Sequence, residues 1–362
     1  MPSSTSSSDP QIRPVPALPW GRVLVTGILL TVVGLVCWEI YWRSQDFEPS
    51  FRNSDGLWAM TRNRIDREGP GGTAVVGSSR LLFDLHLEAW REETGTLPVQ
   101  LALEGTDPRP FLAHLAQETD FAGLVLVGVA PPLFFTPDIG LRASLLEYYR
   151  NESPSQWASQ RISMAVEPYI AFYSFDTALF TVLRRQTIWP ERDVGSALPV
   201  VRKLSNMQIT RQSPMWEKLE HDEAYRDMAR STWLEFLNMP RELPPPEVLK
   251  AGFENLLASV KTDVDTIRSR GGEVVFVRAP STGPFREVEN GGFPRERMWD
   301  VLLEHTGTLG VHFEDHPDLQ DVEVPEWSHI RAGDTERWTR ALIGHLRRGL
   351  DARGTSRVEL KP

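Results

Sequence analysis

Short apolar runs alternate with amphipathic segments over most of the chain after residue 72. The runs carry apolar and often β-branched side chains at nearly every position, which is typical of parallel strands covered on both faces. They are Thr73–Val76, Val99–Leu103, Leu124–Val129, Glu273–Val277 and Val311–Phe313. The alternation predicts an α/β fold: a three-layer α/β/α sandwich around a mainly parallel five-stranded sheet.

Helices are predicted between these strands, where apolar residues recur at three- and four-residue steps. The longest begins at Pro246 and ends at Gly271-Gly272, since a glycine pair is typical of a helix C-terminus. The other predicted helices are Leu81–Glu93, Pro110–Glu118, Met298–Leu303 and Thr335–Leu350.

A helical insertion is predicted at about residues 131–245, which have no strong strand pattern. Its Tyr169–Tyr173 and Ala178–Leu183 segments are apolar and aromatic. We expect them either to pack as a helical cap on the sheet or to form a surface that contacts the bilayer or a membrane partner.

The N-terminal part contains an uncharged run, Val23–Trp38, with Trp20 before it and Tyr41 and Trp42 after it. Length and flanking aromatics predict a transmembrane signal anchor over residues 20–42; a buried core helix is the alternative. The other expected divisions are a disordered tail (1–19), a polar linker (43–72), the α/β domain (73–350) and a C-terminal tail (351–362). Arginines flank the span on both sides, so its orientation stays open.

Composition narrows the classes of partner. The chain has 49 acidic and 39 basic residues and a net charge of −10, so there is no electrostatic reason to expect a nucleic-acid partner. Its one cysteine, Cys37, excludes an intrachain disulfide. No His-Glu-x-x-His or Cys-x-x-Cys spacing occurs, and we expect neither a metal nor another cofactor.

Candidate chemistry lies at Gly77-Ser78-Ser79-Arg80, directly after the first strand. A strand followed by glycine, serine and a helix presents a hydroxyl at the carboxyl edge of the sheet, where ligands bind. A serine nucleophile needs a base, and the base needs an orienting group. His316 and His329 follow the fifth strand at the same edge, and Glu326 precedes His329 by three residues. The alternative is a surface histidine with an unrelated glutamate.

These motifs, in this order, resemble the SGNH/GDSL hydrolase superfamily over about 73–129 and 247–350. Gly77-Ser78-Ser79 stands in place of the family's Gly-Asp-Ser block, which implies that Ser79 is the nucleophile. Leu101–Gly105 is similar to the second block, which implies that the N–H of Gly105 helps form the oxyanion hole. Glu326-x-x-His329 resembles the last block, Asp-x-x-His, which implies a Ser-His-Glu constellation.

One block departs from the family pattern. The third block normally reads Gly-x-Asn-Asp, and its Asn donates to the oxyanion, whereas this chain has Gly128-Val129-Ala130-Pro131. Loss of one oxyanion donor costs about 100- to 1000-fold in turnover. Arg80 and Arg278 follow predicted strands at the same edge and are candidate substitutes. Alternatively, each takes part in a structural ion pair or contacts an anionic ligand.

An N-terminal anchor followed by an SGNH-like domain also resembles bacterial envelope proteins of cell-surface O-acylation. This implies a serine esterase or O-acyltransferase that acts on acyl esters of cell-envelope glycans. It further implies a single-pass protein of the cell inner membrane with an extracytoplasmic or periplasmic domain, and a multi-span membrane O-acyltransferase as partner. The alternatives are a non-catalytic accessory protein that binds glycan or the acyltransferase, and an anchored domain whose serine and histidine lie far apart.

Overall fold

The computed structural model describes residues 18–136, 142, 144–185, 201–239 and 244–354. The chain divides into two compact units, residues 1–47 and 48–362. Almost all of the predicted tail at residues 1–19 and most of that at 351–362 lie outside the described residues, as do parts of the predicted insertion at 131–245.

The first unit contains helix α1, Trp20–Arg43, which is long and apolar enough to span a membrane. Its mean hydropathy reaches 2.3 and none of its side chains is buried. At about 1.5 Å per residue it matches the thickness of a bilayer. Trp38, Tyr41 and Trp42 pack against one another near its end. The helix agrees with the span predicted at residues 20–42.

The second unit is built on one sheet of five parallel strands, with the order β2-β1-β3-β4-β5. The strands are β1 Thr73–Val76, β2 Val99–Gln100, β3 Leu124–Gly128, β4 Glu273–Arg278 and β5 Leu309–His312. The predicted α/β class and parallel five-stranded sheet are therefore confirmed. All five strands lie where the apolar runs place them, with ends shifted by a few residues.

Helices make up most of the remaining regular structure of the second unit. Before the insertion they are α2 Asp55–Glu68, α3 Ser79–Asp84, α4 Leu87–Thr94 and α5 Arg109–Gln117. Within the insertion they are α6 Pro131–Phe134, α7 Leu145–Arg150, α8 Pro154–Val166, α9 Leu179–Arg184, α10 Lys218–His221 and α11 Glu223–Asn238. After it they are α12 Pro246–Ser269, α13 Gly283–Gly292, α14 Trp299–Thr306, α15 Pro317–Gln320 and α16 Ala332–Ala352. Three short 3-10 turns are Ala171–Tyr173, Arg295–Arg297 and Phe313–Asp315.

The strands bury alternate side chains in two separate apolar clusters, because successive residues of a strand point to opposite faces. In β4, for example, Val274 and Phe276 belong to one cluster, whereas Val275 and Val277 belong to the other. Apolar residues of α2, α5, α12 and α14 complete the first cluster. Those of α3, α4 and α16 complete the second. Helices thus cover apolar surface on both faces of the sheet.

Residues 43–72, expected to be a polar linker, contain helix α2, which packs into the first apolar cluster. Trp58 is fully buried, and its indole N–H donates to the Leu101 carbonyl at 3.0 Å. Ser54 caps the helix by accepting from the Leu57 N–H. The sequence does not predict this helix because its buried face includes a charged residue, Arg62, which interrupts the apolar pattern. Arg62 is buried in the fold because it pairs with Asp66 and His114.

The helix predicted at Leu81–Glu93 is in fact two helices, α3 and α4. Leu85 between them is extended, and the Nδ1 atom of His86 caps α4 by accepting from the Ala89 N–H.

The second strand is also shorter than predicted. Arg211 of the insertion donates to the carbonyls of Gln100 and Ala102, which satisfies the outer edge of β2 where a further strand would otherwise pair.

The packing of α2 predicts a large difference between two tryptophan variants. Trp58→Ala leaves a cavity in the core and is expected to lower the free energy of unfolding by about 3–5 kcal/mol. Trp157→Ala removes a half-exposed side chain and is expected to change it by about 0.5 kcal/mol or less. Urea unfolding of the full chain in detergent measures both. Equal, small effects would mean that α2 is not part of the folded core.

Candidate active site

The turn after β1 lies where the order of the sheet reverses, since β2 flanks β1 on one side and β3 on the other. Ligand sites of open parallel sheets form at such a point. Glycine is favoured at position 77 because a Cβ atom there would lie 3.3 Å from the Cα atom of Gly128 at the end of β3, closer than an ordinary contact. Ser79 follows as the first residue of α3 and remains partly accessible, whereas Ser78 and Arg80 are buried.

Ser79, His329 and Glu326 form a continuous chain of hydrogen bonds. The Ser79 Oγ atom lies 2.8 Å from Nε2 of His329, and Nδ1 of His329 lies 2.8 Å from Oε1 of Glu326. His329 is 1% exposed and Glu326 is 0% exposed, so Ser79 is the accessible member of these three hydrogen-bonded residues. The histidine and acid chosen from the sequence therefore meet the chosen serine, although they are about 250 residues apart. This excludes the alternative in which the serine and histidine lie far apart.

Glu326 is a buried carboxylate with several donors. Its Oε1 accepts from the backbone N–H groups of Ser328 and His329 as well as from the imidazole. Its Oε2 accepts from the indole N–H of Trp233, in helix α11 of the insertion. Burial raises the pKa of this carboxyl, but the charge of His329 and the hydrogen bonds from His329 and Trp233 outweigh burial, and its pKa is lowered. Glu326 is therefore held as a carboxylate.

The loop that carries Glu326 and His329 is held from two sides. Asp84, at the end of α3, accepts from the Ile330 N–H at 2.9 Å. Arg230 of α11 donates twice to the Pro325 carbonyl, at 2.6 and 3.0 Å. Between these contacts Trp327 adopts a φ of 75°, a left-handed conformation that costs a non-glycine residue roughly 1–3 kcal/mol. The contacts fix the histidine against the helix that begins with Ser79.

Gly105 lies in the turn after β2, with a φ of 55° that favours glycine. The same turn is bonded to the serine turn, because the Leu103 N–H donates to the Gly77 carbonyl at 2.9 Å. The predicted oxyanion glycine and the serine thus lie on two directly hydrogen-bonded segments. Two residues after β3, Ala130 is the N-cap of α6 and Pro131 is its first residue, so the expected asparagine has no counterpart there.

Arg80 and Arg278 both pair with Glu289, a buried residue of α13. Burial raises the pKa of Glu289, but the charges of the two arginines outweigh it and lower the pKa to about 2. Arg278 also donates to the Ala279 carbonyl and to Ser281, and burial lowers its pKa to about 9. These contacts match the structural-ion-pair alternative for Arg278. Arg80 differs, because its buried Nη1 atom has no hydrogen-bond partner among the described residues.

A cavity of about 290 Å³ lies at the same edge of the sheet but not over the serine. Its lining includes Val129, Arg278, Glu289 and His312, which follow or end β3, β4 and β5. Ser79, His329 and Glu326 do not line it. Two of its lining residues, Arg278 and Glu289, belong to the ion-pair network that includes Arg80.

Three residues of the site were not found from the sequence. Trp233 and Glu289 lie in helices whose spacing contains no signal for them, and only the fold brings them to Glu326 and Arg80. Asp84 is the third: no sequence signal marks it as buried, yet it is 0% exposed. His316, the other candidate histidine, stacks on His345 with 3.6 Å between ring centroids and takes no part in the hydrogen bonds that connect Ser79, His329 and Glu326.

The chain matches no protein-family model and no curated protein. Among the described residues, no group of three or more histidine, cysteine, aspartate or glutamate side chains is placed to hold a metal ion.

The burial of Asp84 predicts a pH-dependent stability difference. Burial raises the pKa of Asp84 well above its usual value, so the folded state holds the proton more tightly than the unfolded state. The free energy of unfolding then falls as pH rises above about 4. Asp84→Asn keeps an acceptor for Ile330 and removes this titration. Its stability relative to wild type should therefore increase between about pH 4 and pH 7 in urea unfolding.

Asp84→Ala is the matched control, since it removes the acceptor as well as the charge. We expect it to be less stable than the asparagine variant by about 1–3 kcal/mol at every pH. If wild type and Asp84→Asn show the same pH dependence, Asp84 does not take up a proton on folding.

Proposed function

We propose that this chain is a membrane-anchored SGNH-like serine esterase or O-acyltransferase that acts on acyl esters of cell-envelope glycans. The observation that carries the proposal is the hydrogen-bonded chain from Ser79 through His329 to Glu326, with 2.8 Å at each link. Such a chain, with an accessible hydroxyl and a buried acid, is the arrangement that activates serine as a nucleophile.

The reaction begins when the Ser79 Oγ atom attacks the acyl carbonyl carbon and His329 Nε2 accepts the hydroxyl proton. Glu326 stabilises the imidazolium that forms, as a fixed carboxylate hydrogen-bonded to Nδ1. The tetrahedral intermediate collapses, the bond to the leaving alcohol breaks, and His329 gives that alcohol its proton. The acyl group, now esterified to Ser79, passes to water in an esterase or to a sugar hydroxyl in a transferase. A general base of this kind contributes about 100- to 10,000-fold to the rate.

Oxyanion stabilisation in this proposal comes first from backbone N–H groups. Ser79 is the first residue of α3, and the first N–H groups of a helix have no partner within it. Gly105 supplies the second donor from the adjacent turn. Arg80 is the candidate replacement for the missing asparagine, because it follows Ser79 directly and one of its nitrogens is unpartnered. The Arg80–Glu289–Arg278 cluster has two positive charges and one negative, so its field also favours an oxyanion.

The finer architecture and location belong to the same proposal. Apolar clusters on both faces of the parallel sheet support a three-layer α/β/α sandwich, and the motifs suggest the SGNH type. Helix α1 supports a single-pass membrane anchor. Its place in the cell inner membrane, with the domain outside the cytoplasm, rests on the resemblance to envelope O-acylation proteins. A multi-span membrane O-acyltransferase is the expected partner, by resemblance to proteins of envelope O-acylation.

Covalent labelling tests the nucleophile. A fluorophosphonate probe is expected to label the wild-type chain in detergent, and Ser79→Ala to abolish labelling. Ser78→Ala is the matched control, because this neighbouring hydroxyl is buried and makes no capping hydrogen bond to α3; its labelling should stay close to wild type. Labelling of Ser79→Ala at the wild-type level, or loss of labelling only in Ser78→Ala, would contradict the assignment.

A second candidate function is a non-catalytic SGNH-like accessory protein that binds glycan or a membrane O-acyltransferase. It is favoured by Ala130 and Pro131, the N-cap and first residue of α6, which stand where hydrolases of this type have an oxyanion asparagine. An accessory protein would co-purify with a multi-span acyltransferase to the same extent with and without Ser79→Ala, and would not react with the probe. Probe reactivity at Ser79 decides against it.

A further inference from the structure

The insertion exposes a concentrated set of large apolar side chains. Among the described residues from 48 to 354, most of the exposed large apolar side chains lie between residues 157 and 183. They include Trp157, Ile162, Phe175, Leu179, Phe180 and Leu183, which lie on α8, on α9 and in the segment between them. We call this set of six exposed side chains the insertion face. Ile162 is 68% exposed and Phe180 is 65% exposed. Helix α9 is apolar in four of its residues yet has no buried residue at all. An apolar surface of this kind marks an interaction site.

The charges of the insertion face are mainly positive. Arg161 stacks on the Trp157 ring at 3.4 Å, and Arg184 lies over Phe180 at 4.2 Å. The two acidic residues of the segment do not offset them at the surface, because Glu167 is buried and Asp176 pairs with Arg185 at 2.8 Å. Aromatic and aliphatic side chains beside arginines are the composition of a surface that lies in a lipid headgroup region.

The same segment packs on the first residues of the second unit. The Arg52 N–H donates to the Glu167 side chain at 3.2 Å, and Ser54 donates to Gln160 of α8 at 2.8 Å. The Arg52 guanidinium also lies over the Tyr173 ring at 5.8 Å. Helix α8 and the turn that follows it therefore pack against the residues where the chain enters the second unit.

Covalent connection limits how far this part can be from a membrane. Helix α1 ends at Arg43 and the second unit begins at Glu48. Five residues at about 3.5 Å each span at most roughly 17 Å. Arg52, whose N–H contacts Glu167 of the insertion, is nine residues from Arg43, so it lies within roughly 31 Å of the end of α1. If α1 crosses a bilayer, that distance also limits how far this contact is from the membrane surface.

We propose that the insertion face inserts into the headgroup region of the membrane that holds α1, and gives the domain a second contact with the lipid. The inference rests on the proposed membrane anchor. The occupant of the face is a bilayer containing anionic lipid, because the tether keeps that surface close and the face combines apolar side chains with arginines. Contact at two places fixes the orientation of the domain, and with it the direction in which Ser79 faces.

The test uses single-cysteine variants of the full chain, labelled with a fluorophore and reconstituted in vesicles of phosphatidylcholine and phosphatidylglycerol. In a Cys37→Ser background, Ile162→Cys and Phe180→Cys place the label on the insertion face. Lipids with a nitroxide at the headgroup or on the upper acyl chain should quench both labels by roughly half, because a face buried about 5–10 Å lies within reach of them. Both positions are exposed, so substitution there does not disturb the core.

Glu304→Cys is the control on the remote side of the domain. Glu304 is exposed on α14, which packs beside β5, whereas α2, against which α8 packs, lies beside β2 at the opposite edge of the sheet. A label there should be quenched by water-soluble iodide and not by lipid nitroxides. The second control is the native Cys37 of α1, whose label should be quenched by the lipid nitroxides if the helix spans the bilayer.

These controls separate failure of the inference from failure of the anchor. Quenching by lipid at Cys37, without quenching by lipid at residues 162 and 180, would overturn the second contact and keep the anchor. That outcome includes a face shielded by a second copy of the chain or by another protein. Absence of lipid quenching at Cys37 would overturn the anchor and the inference together. Equal quenching by lipid at residues 162, 180 and 304 would also overturn the specific orientation.

Discussion

The arrangement of the site depends on keeping one carboxylate charged where no water reaches it. Glu326 is completely buried, and an unpaired charge in that position would cost several kcal/mol. It is stabilised by the imidazole of His329, by two backbone N–H groups of its own loop and by the indole of Trp233. These donors come from the loop after β5 and from the insertion, so the insertion is part of the site and not only a cover. The same carboxylate orients His329 toward Ser79.

A second buried carboxyl, Asp84, lies against the same loop, and its pKa shifts the opposite way. Burial raises the pKa of Asp84, whereas the pKa of Glu326 is lowered by His329 and Trp233. Pairs of acids whose surroundings separate their pKa values in this manner are typical of sites with assigned acid and base roles. Here Asp84 holds the loop through Ile330, and Glu326 holds the histidine. The Arg80–Glu289–Arg278 cluster adds a net positive charge, and its Arg80 donates to Ser328 of the same loop at 3.4 Å.

Local patterns were sufficient to predict the parallel sheet and the apolar helix α1. Ser79, His329 and Glu326 were singled out by local patterns together with the resemblance to SGNH/GDSL motifs. Continuous apolar runs identify buried strands, and short motifs identify the turns at their ends. The same patterns could not identify α2, because its buried face contains Arg62, whose partners Asp66 and His114 are known only from the fold. The roles of Trp233 and Glu289 could not be predicted for the same reason. Each residue takes part in the site only through a contact with a distant segment, Trp233 with Glu326 and Glu289 with Arg80.

The central claim is that the fold makes Ser79, and not a neighbouring hydroxyl, the nucleophile. Trypsin releases the peptide of residues 68–80, which contains Thr73, Ser78 and Ser79. Tandem mass spectrometry of this peptide, after reaction of the native chain with a fluorophosphonate, locates the adduct directly. The account predicts one adduct per chain, on Ser79, that forms in native protein and not after unfolding in urea. An adduct on Ser78 or Thr73, or equal reaction of native and unfolded chains, would contradict it.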